Sequence, residues 1–365
     1  MSRVVFKETD HSFINSVKKA VDEYFYIHNL KKTGNWNLYI KALLFIPLAV
    51  FLYIFLLFGS YSALSGIVLS ISFGLSLSII AVNVMHDACH GSFSEKKWIN
   101  TLMGLTMNAL GSNAFLWKIK HNILHHTYTN IDSIDNDIAA WPILRQSPVQ
   151  EWKPIHRYQF LYMFPLYGIS TLAWMFVDDF AKYFFKKISS TPIKKISIKE
   201  HFLFWISKIF YFIFYMIIPA SILGWQNWLI GFLIVHFIMG LCLTIVFQLA
   251  HLVSNTHFES AEKDINQIRS EWAIHEVKTT SNFAMESKII SWFLGGLNFQ
   301  IEHHLFPRIS HIHYPAISRI VKKECNSYQL PYNYYPSLNE AFVSHFLFMK
   351  ELGKEAKDFS IEKII

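Results

Sequence analysis

The chain has 365 residues, of which 52% are hydrophobic, 17% aromatic and only 16% charged, with 33 Lys and Arg against 26 Asp and Glu for a net charge of +7. Soluble domains carry about 25% charged residues, so the composition excludes an ordinary soluble globule. It points to an all-α integral membrane protein, with no nucleic acid among its partners.

Residues 1–40 mix charges throughout and carry no apolar core followed by a cleavage site, so no secretory signal is expected there. From Ala42 to Met85, 44 residues pass without one Asp, Glu, Lys or Arg. About 20 apolar residues cross a bilayer core, and the stretch breaks at "FGSYSALSG", so it reads as a hairpin of spans 42–59 and 64–85. "HDACH" follows at once. Next comes Ile99 to Trp117, uncharged but bounded by Lys96, Lys97 and Lys118, which reads as an interfacial helix. Then comes "HNILHH".

A second uncharged segment, Tyr158 to Val177, lies between Arg157 and Lys182 and is also read as interfacial. Ile209 to Ala250 then gives 42 residues whose only ionisable group is His236, broken at "LGWQNW", and it reads as spans 205–223 and 228–250 ending in His251. His236, deep in its helix, is expected to be a hydrogen-bonded packing residue. "WAIHEV" and "QIEHH" follow, the latter with "IISWFLGGLNF" before it. Residues 324–365 read as a C-terminal tail. The Lys and Arg residues lie outside both charge-free stretches, which places both termini and the middle region on the cytoplasmic side of a multi-pass protein. Cys89, Cys242 and Cys325 are isolated and give no disulfide framework.

The histidines carry the chemistry. Residues at i and i+3 or i+4 share a helix face, so His86 with His90, His121 with His125, and Gln300 with His303 and His304 each aim at one point. His126 widens the arc of the second group. His251 closes the fourth span and His275 follows. One such pair arises by chance or caps a helix end; three, each beside a membrane exit, do not. Imidazole suits iron, zinc, copper and nickel, and eight or nine ligands exceed one ion, so two metals are expected. Sharing a site requires all groups on one membrane face, which four crossings deliver and a spanning Ile99–Trp117 or Tyr158–Val177 would forbid. Asp87, Asp135, Asp137, Glu302 and His275 are candidates to orient the imidazoles through their other ring nitrogen.

"HDACH", "HNILHH" and "QIEHH" resemble, in order and separation, the three histidine boxes of the membrane-bound fatty acid desaturases. The resemblance covers about Ala42 to Cys325, making 41–323 the desaturase domain, with four transmembrane helices in two hairpins, interfacial helices and a cytoplasmic histidine-rich di-metal cap. The glutamine opening the third box and the following "LFP" resemble the front-end subgroup, of the linoleoyl-CoA (delta-6-like) type. What the resemblance implies is an oxidoreductase with two iron ions, dioxygen as co-substrate and a long acyl chain, as acyl-CoA or membrane lipid, in which a cis double bond is formed. His86, His90, His121, His125, His126, His303 and His304 match the boxes, Gln300 the variant first position, and His251 the extra histidine near the end of the fourth helix. Two departures stand out. No haem-binding "HPGG" of a fused cytochrome b5 domain occurs, so electrons are expected from an external cytochrome b5 or ferredoxin-type carrier. Stearoyl-type relatives also place an asparagine one turn before the extra histidine, where this chain has Phe247.

Two alternatives are weighed against this reading. A hydroxylase or ketolase of the same histidine-box superfamily would differ in its product. A non-redox histidine-rich receptor or metal carrier would place its ligands along the spans, whereas these cluster at their ends.

Overall fold

Side-chain caps start the long helices. In a computed structural model, which describes residues 4–7, 10–138, 142–259, 267–268 and 270–354, Asn35 accepts from the Asn37 amide at 2.9 Å to open α2 (Trp36–Phe58). Ser62 does the same for α3 (Ala63–His90) by accepting from Ser65. Each satisfies an amide that the first turn leaves without a partner. Short helices α4 (Lys97–Gly104), α5 (Thr106–Ala109) and α6 (Ala114–Lys118) follow. Then come α7 (Pro154–Phe185), α8 (Ile198–Leu223) and α9 (Trp225–His251).

The rest are α10 (Trp272–Thr279), α11 (Lys288–Phe293), α12 (Gln300–Leu305), α13 (Tyr314–Ser327) and α14 (Leu338–Leu352), with α1 (Ser12–Ile27) ahead of them all. The expected helical chain is therefore present, with small additions. Val5–Phe6 runs parallel to Gln267–Ile268, Lys187–Ile188 antiparallel to Thr191–Pro192, and Asn282–Phe283 parallel to Tyr334–Tyr335. In chain order these are β1 to β6. The end of the expected C-terminal tail, from 355 onward, lies outside the described residues.

Among the described residues five helices are long and apolar enough to cross a membrane, namely α2, α3, α7, α8 and α9. The Tyr158–Val177 segment, expected to lie in the interface, is the middle of the 32-residue α7, so length and apolarity do not separate it from the spans. Many outward side chains are apolar, among them Phe51, Phe58, Leu64 and Ile230. Such faces belong in lipid.

The chain divides into two compact units. One, the membrane unit, comprises residues 34–118 and 164–245. Its helices meet through small residues and buried polar pairs. A Cβ on Gly240 would stand 2.4 Å from the Gly168 carbonyl oxygen, so only glycine permits this approach of α9 to α7. His236 is held by Thr171 at 3.0 Å and by the Tyr211 hydroxyl, which makes it the hydrogen-bonded packing residue expected. Lys208 pairs with Asp179 at 2.8 Å and donates to the Gly111 carbonyl. Ser112 also donates to Asp179. These bonds fix the loop that follows α5.

The other, the histidine unit, comprises residues 1–33, 119–163 and 246–365. Its core packs Phe13, Val17 and Val21 of α1 against Ala273 and Val277 of α10, Ile301 and Leu305 of α12, and Ile317 and Val321 of α13. The helix bearing the third box is thus anchored on its apolar side, which leaves the opposite face for chemistry.

Candidate metal centre

Within the membrane unit, α3 carries "HDACH" as its last turn. A π-helical segment, Ala81–Met85, precedes it, and Gly91 at φ +79° ends it. That left-handed position suits a residue with no Cβ. His86 and His90 lie side by side with ring centroids 4.7 Å apart, and the buried Trp117 packs edge-on against both at 5.8 Å. Asp87 stands 4.0 Å from His86 Nδ1.

Within the histidine unit, six imidazoles gather. His121, His125 and His126 come from the π-helical Ile119–His125 and the residue after it, where the His126 amide bonds to the His121 carbonyl at 3.1 Å. This i→i+5 pattern is the π-bulge that recurs at functional sites. It brings both later histidines beside the first, with His121 centroids 5.1 Å from His125 and 4.8 Å from His126. The Nε2 atoms of His121 and His126 approach to 3.3 Å. The ring of His303 lies 4.5 Å from that of His126 and 6.0 Å from that of His121. His125, His251 and His304 form a tighter group, with one ring nitrogen from each within 4.8 Å of the others and all three fully buried.

Acids and hydroxyls fix the outer nitrogens. Asp135 Oδ2 accepts from His125 Nδ1 at 2.9 Å. Glu276 Oε2 accepts from His304 Nδ1 at 2.7 Å, and the Thr129 hydroxyl bonds the same oxygen at 2.7 Å. The Tyr314 hydroxyl bonds His303 Nδ1 at 3.1 Å. Each contact engages Nδ1 and turns Nε2 inward. This is how a ligating imidazole is held in one tautomer. The inward Nε2 of His125 is buried with no hydrogen bond to any described residue, which is costly unless the nitrogen faces a cation. Burial lowers the affinity of His125 for protons, but Asp135 and Asp137 outweigh it and hold the ring above its ordinary value. Burial likewise pushes the Glu276 carboxyl well above the usual range, against the pull of Thr129. Such an acid stays ionised only beside compensating positive charge. This donor set fits a metal ion: neutral nitrogens inside, carboxylates behind them.

The other sequence candidates fall as follows. Asp137 takes the Lys120 ammonium and lies 3.8 Å from His121 Nδ1 and 3.9 Å from His125 Nδ1. His275 is one layer further out, its Nε2 bonded to the Thr129 carbonyl at 2.8 Å. Glu302 is buried, but its carboxylate accepts from Asn282 and Tyr332, both at 2.8 Å, and touches no imidazole in these bonds. Asn282 also caps the Ile301 amide, so this acid ties the third-box helix to its support. The Gln300 amide donates to the Leu297 carbonyl at 2.8 Å. Phe247 lies against the rings of His125 at 5.1 Å and His251 at 4.6 Å, an apolar wall beside both.

Sequence reasoning missed Glu276, Thr129, Asn130 and Tyr314. Asn130 donates to the carbonyls of His251 and Thr279, both at 3.1 Å, and so clamps the end of α9. A clue existed for Glu276, an acid beside His275 in an otherwise apolar "WAIHEV".

Helices of membrane-spanning length together with a buried, carboxylate-backed cluster of imidazoles define the class: a membrane protein with a polyhistidine site able to hold metal. Comparison with known proteins then names the family. The fatty acid desaturase family pattern matches residues 62–336. The chain is 33% identical over 350 residues to the sn-1 linoleoyl-lipid 6-desaturase of Synechocystis sp., covering 94% of this chain and 96% of that one. It is 32% identical over 365 residues to the enzyme of the same name from Arthrospira platensis, covering 100% and 98%. It is also 32% identical over 349 residues to an acyl-lipid (8-3)-desaturase of Physcomitrium patens, covering 94% and 72%. The chain belongs to the fatty acid desaturase family, whose members are oxidoreductases.

Proposed function

We propose that the protein inserts a cis double bond into an acyl chain esterified in a membrane lipid, on the carboxyl side of an existing double bond. The observation that carries this reading is the buried His125–His251–His304 group with its carboxylate backing. The acyl-lipid substrate is supported by the names of the relatives above, two of which are linoleoyl-lipid 6-desaturases. Two iron ions are the proposed metals, held by His86, His90, His121, His125, His126, His251, His303 and His304, with Gln300 beside them. When bound, the irons supply the oxidising power of dioxygen that removing hydrogen from an unactivated methylene requires. The chain's own residues do the rest. Asp135 and Glu276 hold His125 and His304 in one tautomer, Tyr314 orients the ring of His303, and Phe247 and Trp117 keep water from the imidazole rings. Electrons come from an external cytochrome b5 or ferredoxin-type carrier.

A four-span topology, with both termini and the histidines in the cytoplasm, is part of the proposal. Parity supports it. His125 shares a cluster with His251 and His304, so an even number of crossings separates them along the chain. With α8 and α9 crossing, α7 lies along the interface.

The test is expression in a host lacking polyunsaturated lipids, fed linoleate, with double bonds located by mass spectrometry in lipid and CoA fractions. A new bond on the carboxyl side, appearing first in intact lipids, is expected. A hydroxylated or keto product would overturn the reading in favour of the sibling oxygenases.

A further inference from the structure

We propose that the lysine-bearing hairpin between α7 and α8 is a binding site for the phosphate headgroups of anionic membrane lipids. The hairpin is a folded element. Ile188 pairs with Thr191 across β2 and β3, and the Ile193 amide closes on the Lys186 carbonyl at 2.8 Å. Ile188 and Ile193 are buried and plug its base. An aromatic clasp supports it, with Tyr183 stacked on Phe204 at 4.0 Å and its hydroxyl bonded to His201 at 2.7 Å and to the Trp205 indole at 3.0 Å.

From this base Lys186, Lys187, Lys194, Lys195 and Lys199 project into the open, and no Asp or Glu occurs between Asp179 and Glu200. The metal centre uses none of them. The apolar side chains that flank the lysines decide the partner. Phe184 is 61% exposed, Phe185 71%, Ile198 88% and Phe202 64%. An acidic protein carrier would pair with the lysines yet leave these side chains in water. A lipid surface satisfies both, because the aromatic side chains enter the acyl boundary while the lysine stems reach outward to phosphate. Continuity places the hairpin at that depth, for it joins the ends of two helices of membrane-spanning length and apolarity. Clustered lysines at this level gain from a negative leaflet, each contributing separately.

The test uses the full chain in nanodiscs of mixed phosphatidylcholine and phosphatidylglycerol, with bound lipids counted by native mass spectrometry. The wild type is expected to retain phosphatidylglycerol in excess of its share. The triple variant Lys194→Gln, Lys195→Gln, Lys199→Gln is expected to lose that preference by about tenfold or more, whereas the triple Arg variant keeps it. Unfolding midpoints of both variants close to wild type show that the hairpin stays folded. Unchanged enrichment in the Gln variant overturns the proposal. So does unchanged enrichment accompanied by lost binding of an acidic electron carrier, which makes the hairpin a protein dock. Lipid counting does not read catalysis, so its outcome is separate from that of the desaturation assay.

Discussion

Replacing Glu276 by Gln isolates the part of the centre that was invisible in the boxes. The carboxylate takes two bonds of 2.7 Å, from His304 Nδ1 and from the Thr129 hydroxyl. A carboxamide of equal volume keeps the packing but removes the charge. Hydrogen bonds to a charged acceptor contribute about 1.5–3 kcal/mol against about 1 for neutral ones, so the orienting bond loses roughly 0.5–2 kcal/mol. If the amide presents its NH2 group instead, His304 takes the opposite tautomer and its inward nitrogen carries a proton. Removing a group that orients a ligating imidazole lowers metal affinity about 10- to 100-fold, or about 1.4–2.7 kcal/mol. The assay is iron per polypeptide after dialysis against graded chelator, read by elemental analysis, beside double-bond formation read by gas chromatography. The control is Glu302→Gln, equally buried but bonded to Asn282 and Tyr332, which is expected to lower the unfolding midpoint with little effect on iron retention. Equal retention in both variants, or greater loss from Glu302→Gln, refutes the assignment of Glu276 as the acid behind His304.

Alanine at His90, His125 or His304 is expected to abolish new double bonds while the protein remains in the membrane; activity surviving in two of the three counts against a shared centre. Asn130→Ala takes its bond from the Thr279 carbonyl, while the His251 carbonyl keeps the Thr256 hydroxyl at 2.8 Å, and is expected to destabilise by about 1–3 kcal/mol, visible as a lower unfolding midpoint and faster iron loss. His345 is fully buried, donates to the Leu252 carbonyl at 2.8 Å and is held down to about 4 by burial. Its native value lies below the unfolded 6.5, so its contribution is complete above pH 6.5 and is lost as pH falls toward 4, by about 1.4 kcal/mol per unit. Unfolding midpoints measured from pH 7.5 to 5 are expected to fall more steeply for wild type than for His345→Gln, and parallel slopes exclude this role.

How much of this was legible in the sequence depends on which contacts are local. The boxes and the charge-free stretches are written in i, i+4 spacing and in unbroken apolar length, so His86 with His90 and the long apolar helices α2 and α3 read directly. Box two needed one more fact. An α-helical reading pairs His121 with His125 and leaves His126 aside, and the π-turn that brings both to His121 has no plain sequence signature. Glu276, Thr129 and Tyr314 reach the histidines from segments far along the chain, and no periodicity reports such contacts. Glu302 illustrates the converse error of adjacency. Neighbouring residues on a helix point about 100° apart, and that turn carries Glu302 away to Asn282 and Tyr332.

The same geometry explains why α7 defeats a reading by hydropathy alone. Its apolar length satisfies the rule for a span, yet it also carries Asp179, whose buried carboxylate is neutralised by Lys208 from α8. A buried ion pair adds little net stability, but breaking it is costly, about 3–5 kcal/mol when one partner is removed. Its value here is registry, because it fixes α7 against α8 at one height. If α7 crossed the bilayer together with α8 and α9, three crossings would separate His125 from His251 and His304, and the buried three-histidine group would have to form across the lipid. Composition alone cannot choose between an interfacial and a spanning α7. The topology proposed above adds the position of the imidazoles: chemistry that needs His125, His251 and His304 together favours the even count and an interfacial α7.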